Sequence, residues 1–442
     1  MAEKMLKTKE NVERINESLS ENVQTYDSFS TQQDELKISD FSAFIHIMKV
    51  SVTAGILFMP NTFRKTGYVM SVICALLIGV IYMHNSVILV QCSQILCRHH
   101  RLPNLDLAQT VEVSFLTGPK NTRWCARGFA IFTNIIICFI QYSEVVIYIL
   151  YVASSFQQVI EYYGNIVMDI RIYVLIFFPI YCCLILVPNF KYLVPFSIFG
   201  TIFFIVGITI SLTYFLEDFP SLKRLDAFTN VRSVPMFLTI FLYALHNITI
   251  LLPLENIMHN PTNLPRLIII STLFNTIIYI IFGFLGYNKY KDTCDTVIKN
   301  LPLDEVLAEM VKIGISMSIL FSIGINYIIP VQIIWPIIMH FTGVNYRYEI
   351  LFRLVGIALL TIMAVAIPRM IPLTGLLAAL GMTSTILFIP ILIEINTKWQ
   401  EATYSLYIKN GFLFIIFLLV LIFGSIESLS TIIENTDAII SC

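Results

Sequence analysis

His46-Ile-Met-Lys49-Val-Ser-Val-Thr53-Ala54-Gly55-Ile56-Leu57-Phe58-Met59-Pro60 is an apolar run interrupted at its centre. It is long enough to enter a bilayer, yet weak helix formers sit in its middle and a proline follows them by more than a turn. A second stretch of the same character, Leu242-Tyr243-Ala244-Leu245-His246-Asn247-Ile248-Thr249-Ile250-Leu251-Leu252-Pro253-Leu254-Glu255-Asn256, lies five apolar runs further on. Transporters built from two inverted repeats carry such broken segments at corresponding positions, with the substrate near the midplane between them. Either break alone reads equally well as an ordinary glycine or proline kink. Their pairing is what a five-plus-five inverted repeat predicts.

The rest of the chain sets this pair in a membrane. Of 442 residues, 57% are hydrophobic and 13% charged, against about 25% charged in soluble proteins. Apolar runs fall at 41–65, 68–97, 127–160, 171–188, 190–216, 234–257, 264–288, 307–340, 349–368, 371–395 and 409–429. The expected fold is therefore an all-α polytopic membrane protein with about 11 transmembrane helices, an inverted repeat plus one additional helix. Backbone groups in hydrocarbon need internal partners, so these runs form helices. A β-barrel needs alternating segments of about ten residues, which the uninterrupted Ile/Leu/Phe runs exclude.

Residues 1–40 are polar and read as a disordered cytoplasmic tail, 41–430 as the membrane domain, and 431–442 as a short tail beyond it. Basic clusters in the first tail (Lys4, Lys7, Lys9, Arg14, Lys37) and after the second run (Arg98, Arg101, Lys120, Arg123, Arg127) place both in the cytoplasm. An odd number of spans then puts the C-terminus outside or in a lumen. In that topology Cys294 and Cys442 are the two cysteines on the outer side, the pair open to a disulfide. The acceptor triplets at Asn16 and Asn247 fall in the tail and within a span, where glycosylation is not expected.

Several function classes are excluded. The net charge is −1 and no basic run occurs, so no nucleic-acid partner is expected. The chain has no nucleotide-binding glycine loop, no His-Glu-x-x-His and no Gly-x-Ser-x-Gly turn, so neither an enzyme nor a cofactor is expected. His99-His100 is an isolated loop pair and not a metal site. No repeated filter loop suggests a channel.

The breaks define the expected site. Unwinding at Thr53-Ala54-Gly55 frees backbone N–H groups up to Ile56, where the positive end of the half-helix dipole favours a carboxylate. Carbonyls freed around Tyr243, Ala244 and Leu245 are acceptors for an ammonium. One pocket offering both suits an amino acid zwitterion. His246 and Asn247 sit in the second break, and Tyr148 and Tyr327 from the third and eighth runs complete the expected lining. Ionisable residues within spans are costly and functional by default. His46, Lys49 and Thr53 share a helix face, with His46 about 10 Å from the break. His84 lies in the second run and Glu144 in the third. Histidine suits proton exchange near neutral pH, although a histidine satisfied by a neighbouring carbonyl gives the same pattern. Lys312 and Glu394 lie near run ends and are expected to reach the interface.

Four ordered motifs carry a family resemblance over essentially everything after residue 41. They are His46-Ile-Met-Lys49 with Gly55-Ile-Leu-Phe-Met-Pro60; His84-x3-Ile88-Leu89-Val90-x-Cys92-x4-Cys97-Arg98; Leu252-Pro253-Leu254-Glu255-Asn256 with Asn260-Pro261; and Gly283-x-Leu285-Gly286-Tyr287 with Asn300-Leu301-Pro302. The chain resembles the proton-coupled amino acid transporters within the amino acid/auxin permease family. The resemblance implies an eleven-span LeuT-like fold in a plasma or lysosomal membrane. It also implies symport of small neutral amino acids with protons, His46 as the proton-sensitive histidine and His84 as its companion.

The departures are specific. Val50, Thr53 and Phe58 stand where the family has glycines. Leu245-His246-Asn247-Ile248-Thr249 replaces an aromatic-Glu-Gly-Ile-Gly run, and Gln332, after Tyr327 and Pro330, replaces a glutamate. The family's cysteine after Asn-Leu-Pro is absent. Bulkier breaks and two missing acids bear on substrate and coupling. A sensor that binds without flux and an uncoupled facilitative carrier are the competing expectations.

Overall fold

The computed structural model describes residues 37–51, 54–164, 167–187, 190–217, 220, 225–343, 348–401 and 403–433. Sixteen helices carry the fold. Span one is α1 (Asp40–Ser51) and α2 (Gly55–Thr66), whose axes diverge by 54°. Span two is α3 (Tyr68–His100), and α4 (Leu107–Thr117) lies in the loop after it. Span three is α5 (Ala126–Gly164), followed by α6 (Ile170–Ile176), α7 (Phe178–Ile185) and α8 (Phe190–Leu216). Span six is α9 (Val234–Ala244) and α10 (Ile248–Ile257), and span seven is α11 (Leu264–Lys289). Then come α12 (Val306–Thr342), α13 (Glu349–Ala366), α14 (Met370–Leu377), α15 (Ile389–Thr397) and α16 (Tyr404–Ile433).

Among the described residues nine helical stretches are long and apolar enough to cross a bilayer, ten with α1 and α2 taken as one broken span. The run expected at 171–188 accounts for the difference, because it forms two short helices parted at Phe177. Pro179 is the cause: it lacks an N–H and restricts the residue before it, so one helix ends and the next begins. Span ten is also irregular, with π-helical turns at Ala378–Met382 and Ser384–Phe388 joining α14 to α15. Wide turns misalign the ladder, and Asn85 of span two donates to the Ile386 carbonyl there at 3.0 Å.

The helices pack as two groups. Spans one, two, six and seven form the first: α11 lies on α2 and α3, and α9 packs on the same two helices. Spans three, four, eight and nine form the second: α12 packs along α5, while α7 and α13 close on them. Span five, α8, lies along α12. Spans one to five and six to ten thus contribute corresponding members to each group, as an inverted repeat requires. Large apolar side chains such as Leu77, Phe203, Ile270, Leu359 and Ile422 remain exposed on the outside, the surface a bilayer covers.

Two charges expected at the interface are buried instead. Lys312 is 1% exposed, and its ammonium donates to the Leu301 carbonyl at 2.8 Å. The loop before α12 folds back over that helix and supplies an acceptor, so the side chain has no need to reach water. Glu394 is 2% exposed, held by Lys398 at 3.2 Å, by Lys409 at 2.7 Å and by Asn410 at 2.9 Å. The last helix, α16, brings two of these partners. Cys294 is disulfide-bonded. Cys442, Asn16 and most of both tails lie outside the described residues; at the end of the first tail Ile38 donates to the Ile257 carbonyl at 2.8 Å.

Candidate functional site

The two breaks touch. A Cβ added to Gly55 would stand 2.6 Å from the Cα of Ala244, so only glycine lets the two backbones meet there. Ala54 and Ile56 are buried beside it, while Thr53 lies outside the described residues. Four side chains stitch the breaks together. Asn247 donates to the Ser51 hydroxyl at 2.6 Å, and the Tyr82 hydroxyl of span two donates to the Asn247 side-chain oxygen. The Tyr279 hydroxyl of span seven reaches both the Ser51 carbonyl and, at 2.9 Å, the Ala244 carbonyl. These are carbonyls that a helix break strands, and a buried stranded carbonyl is costly. Neither N-cap residue, Ala54 before α2 or Asn247 before α10, caps its helix with its side chain, which leaves leading N–H groups there for a carboxylate.

Facing the breaks from the second group is Glu144 of α5. Its carboxylate accepts from the Asn326 amide of α12 at 2.6 Å, and its other oxygen lies 3.7 Å from Nε2 of His246. Tyr148, one turn along α5, and Tyr243, at the end of α9, direct their hydroxyls toward each other beside that carboxylate. Phe58 of α2 packs on Tyr243 with ring centroids 6.3 Å apart. Tyr148, Tyr243, Ala244, His246 and Asn247 are thus gathered with Gly55 into one buried region.

The other expected residues lie elsewhere. Tyr327 donates to the Arg353 carbonyl of α13 at 2.7 Å and its ring lies tilted against Tyr142, centroids 5.5 Å apart; its neighbour Asn326 is the residue of that span which reaches the site. His46 is exposed on α1 with Lys49 beside it. His84 is half-buried near Lys409, Glu394 and Lys398, with Nε2 unpartnered. The two histidines share no partner among the described residues. Gln332 is exposed, so the acid missing there does not leave a gap in the core. Asn326, Ser51, Tyr82 and Tyr279 had no signal in the sequence, since a polar residue in a span does not say which distant span it meets. Glu144 was marked by its charge alone.

A polar recess of about 270 Å³ opens farther along α5, lined by Ser154, Gln157, Gln158, Glu161, Tyr162, Lys299 and Leu303. Burial lowers the Lys299 ammonium from its ordinary value, opposed by Asp295 and Glu161. Ser154 lies six residues beyond Tyr148, about 9 Å along the helix.

Residues 37–430 match the model of the family described as transmembrane amino acid transporter protein. The chain is 29% identical over 425 residues to the proton-coupled amino acid transporter-like protein pathetic of Drosophila melanogaster, covering 92% of this chain and 88% of that one. It is 22% identical over 400 residues to the amino acid transporter AVT3A of Arabidopsis thaliana, covering 89% and 90%. Among solved structures, the inward-facing conformation of Mhp1 superposes with a TM-score of 0.54 at 10% identity, over 91% of both chains. That likeness confirms the LeuT-like fold of a multi-pass membrane protein. Matched over nearly its whole length, the chain belongs to the transmembrane amino acid transporter family.

Proposed function

We propose that the protein moves small neutral amino acids through the membrane together with protons. The observation that carries this reading is the contact of the N-terminus of α2, at Gly55, with the C-terminal end of α9, at Ala244, next to the start of α10. A zwitterion's carboxylate meets backbone N–H groups there, and the close packing of Tyr243 and Phe58 beside the breaks favours a small side chain. Thr53, Ala54, Gly55 and Ile56 supply one wall, Tyr243, Ala244, His246 and Asn247 the other, with Tyr148 and Asn326 on the second helix group. The polar recess lined by Glu161 and Lys299 offers the substrate an approach with both charges matched. Protons enter the reading from the Drosophila relative's description and from His46 and His84, with His46 the residue that responds to pH.

The test is uptake of labelled alanine, glycine and proline into proteoliposomes, with and without an inward proton gradient, for the wild type and His46→Ala. Gradient-driven uptake that His46→Ala loses supports the reading. Uptake indifferent to the gradient contradicts coupling and leaves a facilitative carrier. A sensor is the second reading, favoured by one observation: Tyr279 already occupies the Ala244 carbonyl that an ammonium would use. Alanine binding without uptake would establish it.

A further inference from the structure

The family resemblance puts an acid in the sixth-span break, and this chain has His246 there. Across from it stands Glu144, which belongs to the other helix group. We infer that Glu144 and His246 together form the site that holds the coupled proton, one proton shared between a carboxylate on span three and an imidazole in the span-six break. This rests on the proton-coupled reading above: His46 stays the residue that responds to pH, and the pair is where the proton is held in transit.

The geometry supports a two-residue site. The Glu144 oxygen and His246 Nε2 are 3.7 Å apart, a separation that a small approach closes to a hydrogen bond. Both residues are 7% exposed. With one proton the pair is neutral overall, as acid and imidazole or as carboxylate and imidazolium. Without it a bare carboxylate stays buried, with the Asn326 amide its one hydrogen-bond donor among the described residues, an expensive arrangement in a water-poor interior. The proton comes from water on the side where protons are abundant and returns to water on the other; no other bond forms or breaks.

The surroundings leave this role to the pair. The titratable groups facing it are hydroxyls: Tyr148 on α5 and Tyr243 on α9, with Tyr82 of α3 and Tyr279 of α11 beyond Asn247. From α12 comes the uncharged Asn326, and Arg353 of α13 is engaged by Glu349. No lysine or arginine stands against either member among the described residues. Nδ1 of His246 is buried without a hydrogen-bond partner, so the ring is not locked by a second contact. The two members ride on different helix groups, and relative motion of the groups opens or closes the 3.7 Å gap. Protonation and alternating access are then one event.

The experiment compares gradient-driven alanine accumulation with alanine counterflow at equal pH, in proteoliposomes of wild type, E144Q, H246Q and the double variant. Counterflow reads substrate passage with no net proton movement, so a merely structural defect lowers both signals together. The expected result is a fall of about tenfold or more in the ratio of accumulation to counterflow for each single variant. The double variant should fall no further, since the two residues act as a unit. An unchanged ratio in both single variants overturns the assignment. A wild type that exchanges alanine but ignores the gradient overturns the coupled reading itself, and does so before any substitution is made. For a variant that reconstitutes poorly, proton uptake on alanine binding is measured in detergent with a pH dye. Uptake that survives in E144Q overturns the proposal; its loss there, with wild-type uptake present, supports it.

Discussion

Glu144 and Glu394 are both carboxylates buried in the membrane domain, and their surroundings differ completely. Glu394 is gripped by Lys398, Lys409 and Asn410 from its own span and from α16. Glu144 has one amide at 2.6 Å and one imidazole at 3.7 Å. A carboxylate surrounded by cations stays ionised and fixed, and acts as a rivet. A carboxylate with a neutral donor and a group that itself takes up a proton is left with a choice of protonation state. The same side chain is structural in one place and a candidate for function in the other, and the partners decide which.

The largest expected effect falls on the rivet. Glu394→Ala should cost about 3 kcal/mol, the low end for breaking a buried pair, because both lysines keep some access to water. A lowered thermal midpoint in detergent would show it, and an unchanged midpoint would put Glu394 among the surface-type pairs. Tyr279→Phe comes next. It leaves the Ser51 and Ala244 carbonyls without their donor, at about 1–3 kcal/mol. If those carbonyls instead bind the substrate ammonium, this variant should bind alanine more tightly while melting earlier. Gly55→Ala forces a Cβ against Ala244 and should reduce uptake by about tenfold or more through overpacking of about 1–3 kcal/mol. Full uptake would mean that the breaks separate during transport by more than their resting contact implies. The smallest effect on stability belongs to Glu144→Gln, below about 1 kcal/mol, because a Gln carbonyl still accepts from Asn326. Equal destabilisation by Glu144→Gln and Glu394→Gln would erase the distinction between them.

What the sequence disclosed follows from the range of the forces involved. Spans are set by local apolarity, and the breaks by local backbone chemistry around Gly55 and at Leu245-His246-Asn247, so both were legible. The division of the fourth run was written in Pro179, though its length suggested a single span. Interface placement of Lys312 and Glu394 failed because it considered only side-chain reach. A folded-back loop and α16 supplied partners that no local pattern announces. The site shows the same limit. Asn247 meets Ser51 across 196 positions and Tyr82 across 165, and Glu144 meets Asn326 across 182. Residue type proposed His246 and marked Glu144, but only the packing of the two helix groups brought them together.

The most direct test of the whole account is electrical. Alanine carries no net charge, so a coupled proton makes each transport event move one positive charge. With wild-type protein in proteoliposomes on a solid-supported membrane under an inward proton gradient, adding alanine should give an inward positive current that shrinks as the external pH rises. Alanine accumulation without current, or a current independent of external pH, would contradict proton-coupled transport through the paired breaks.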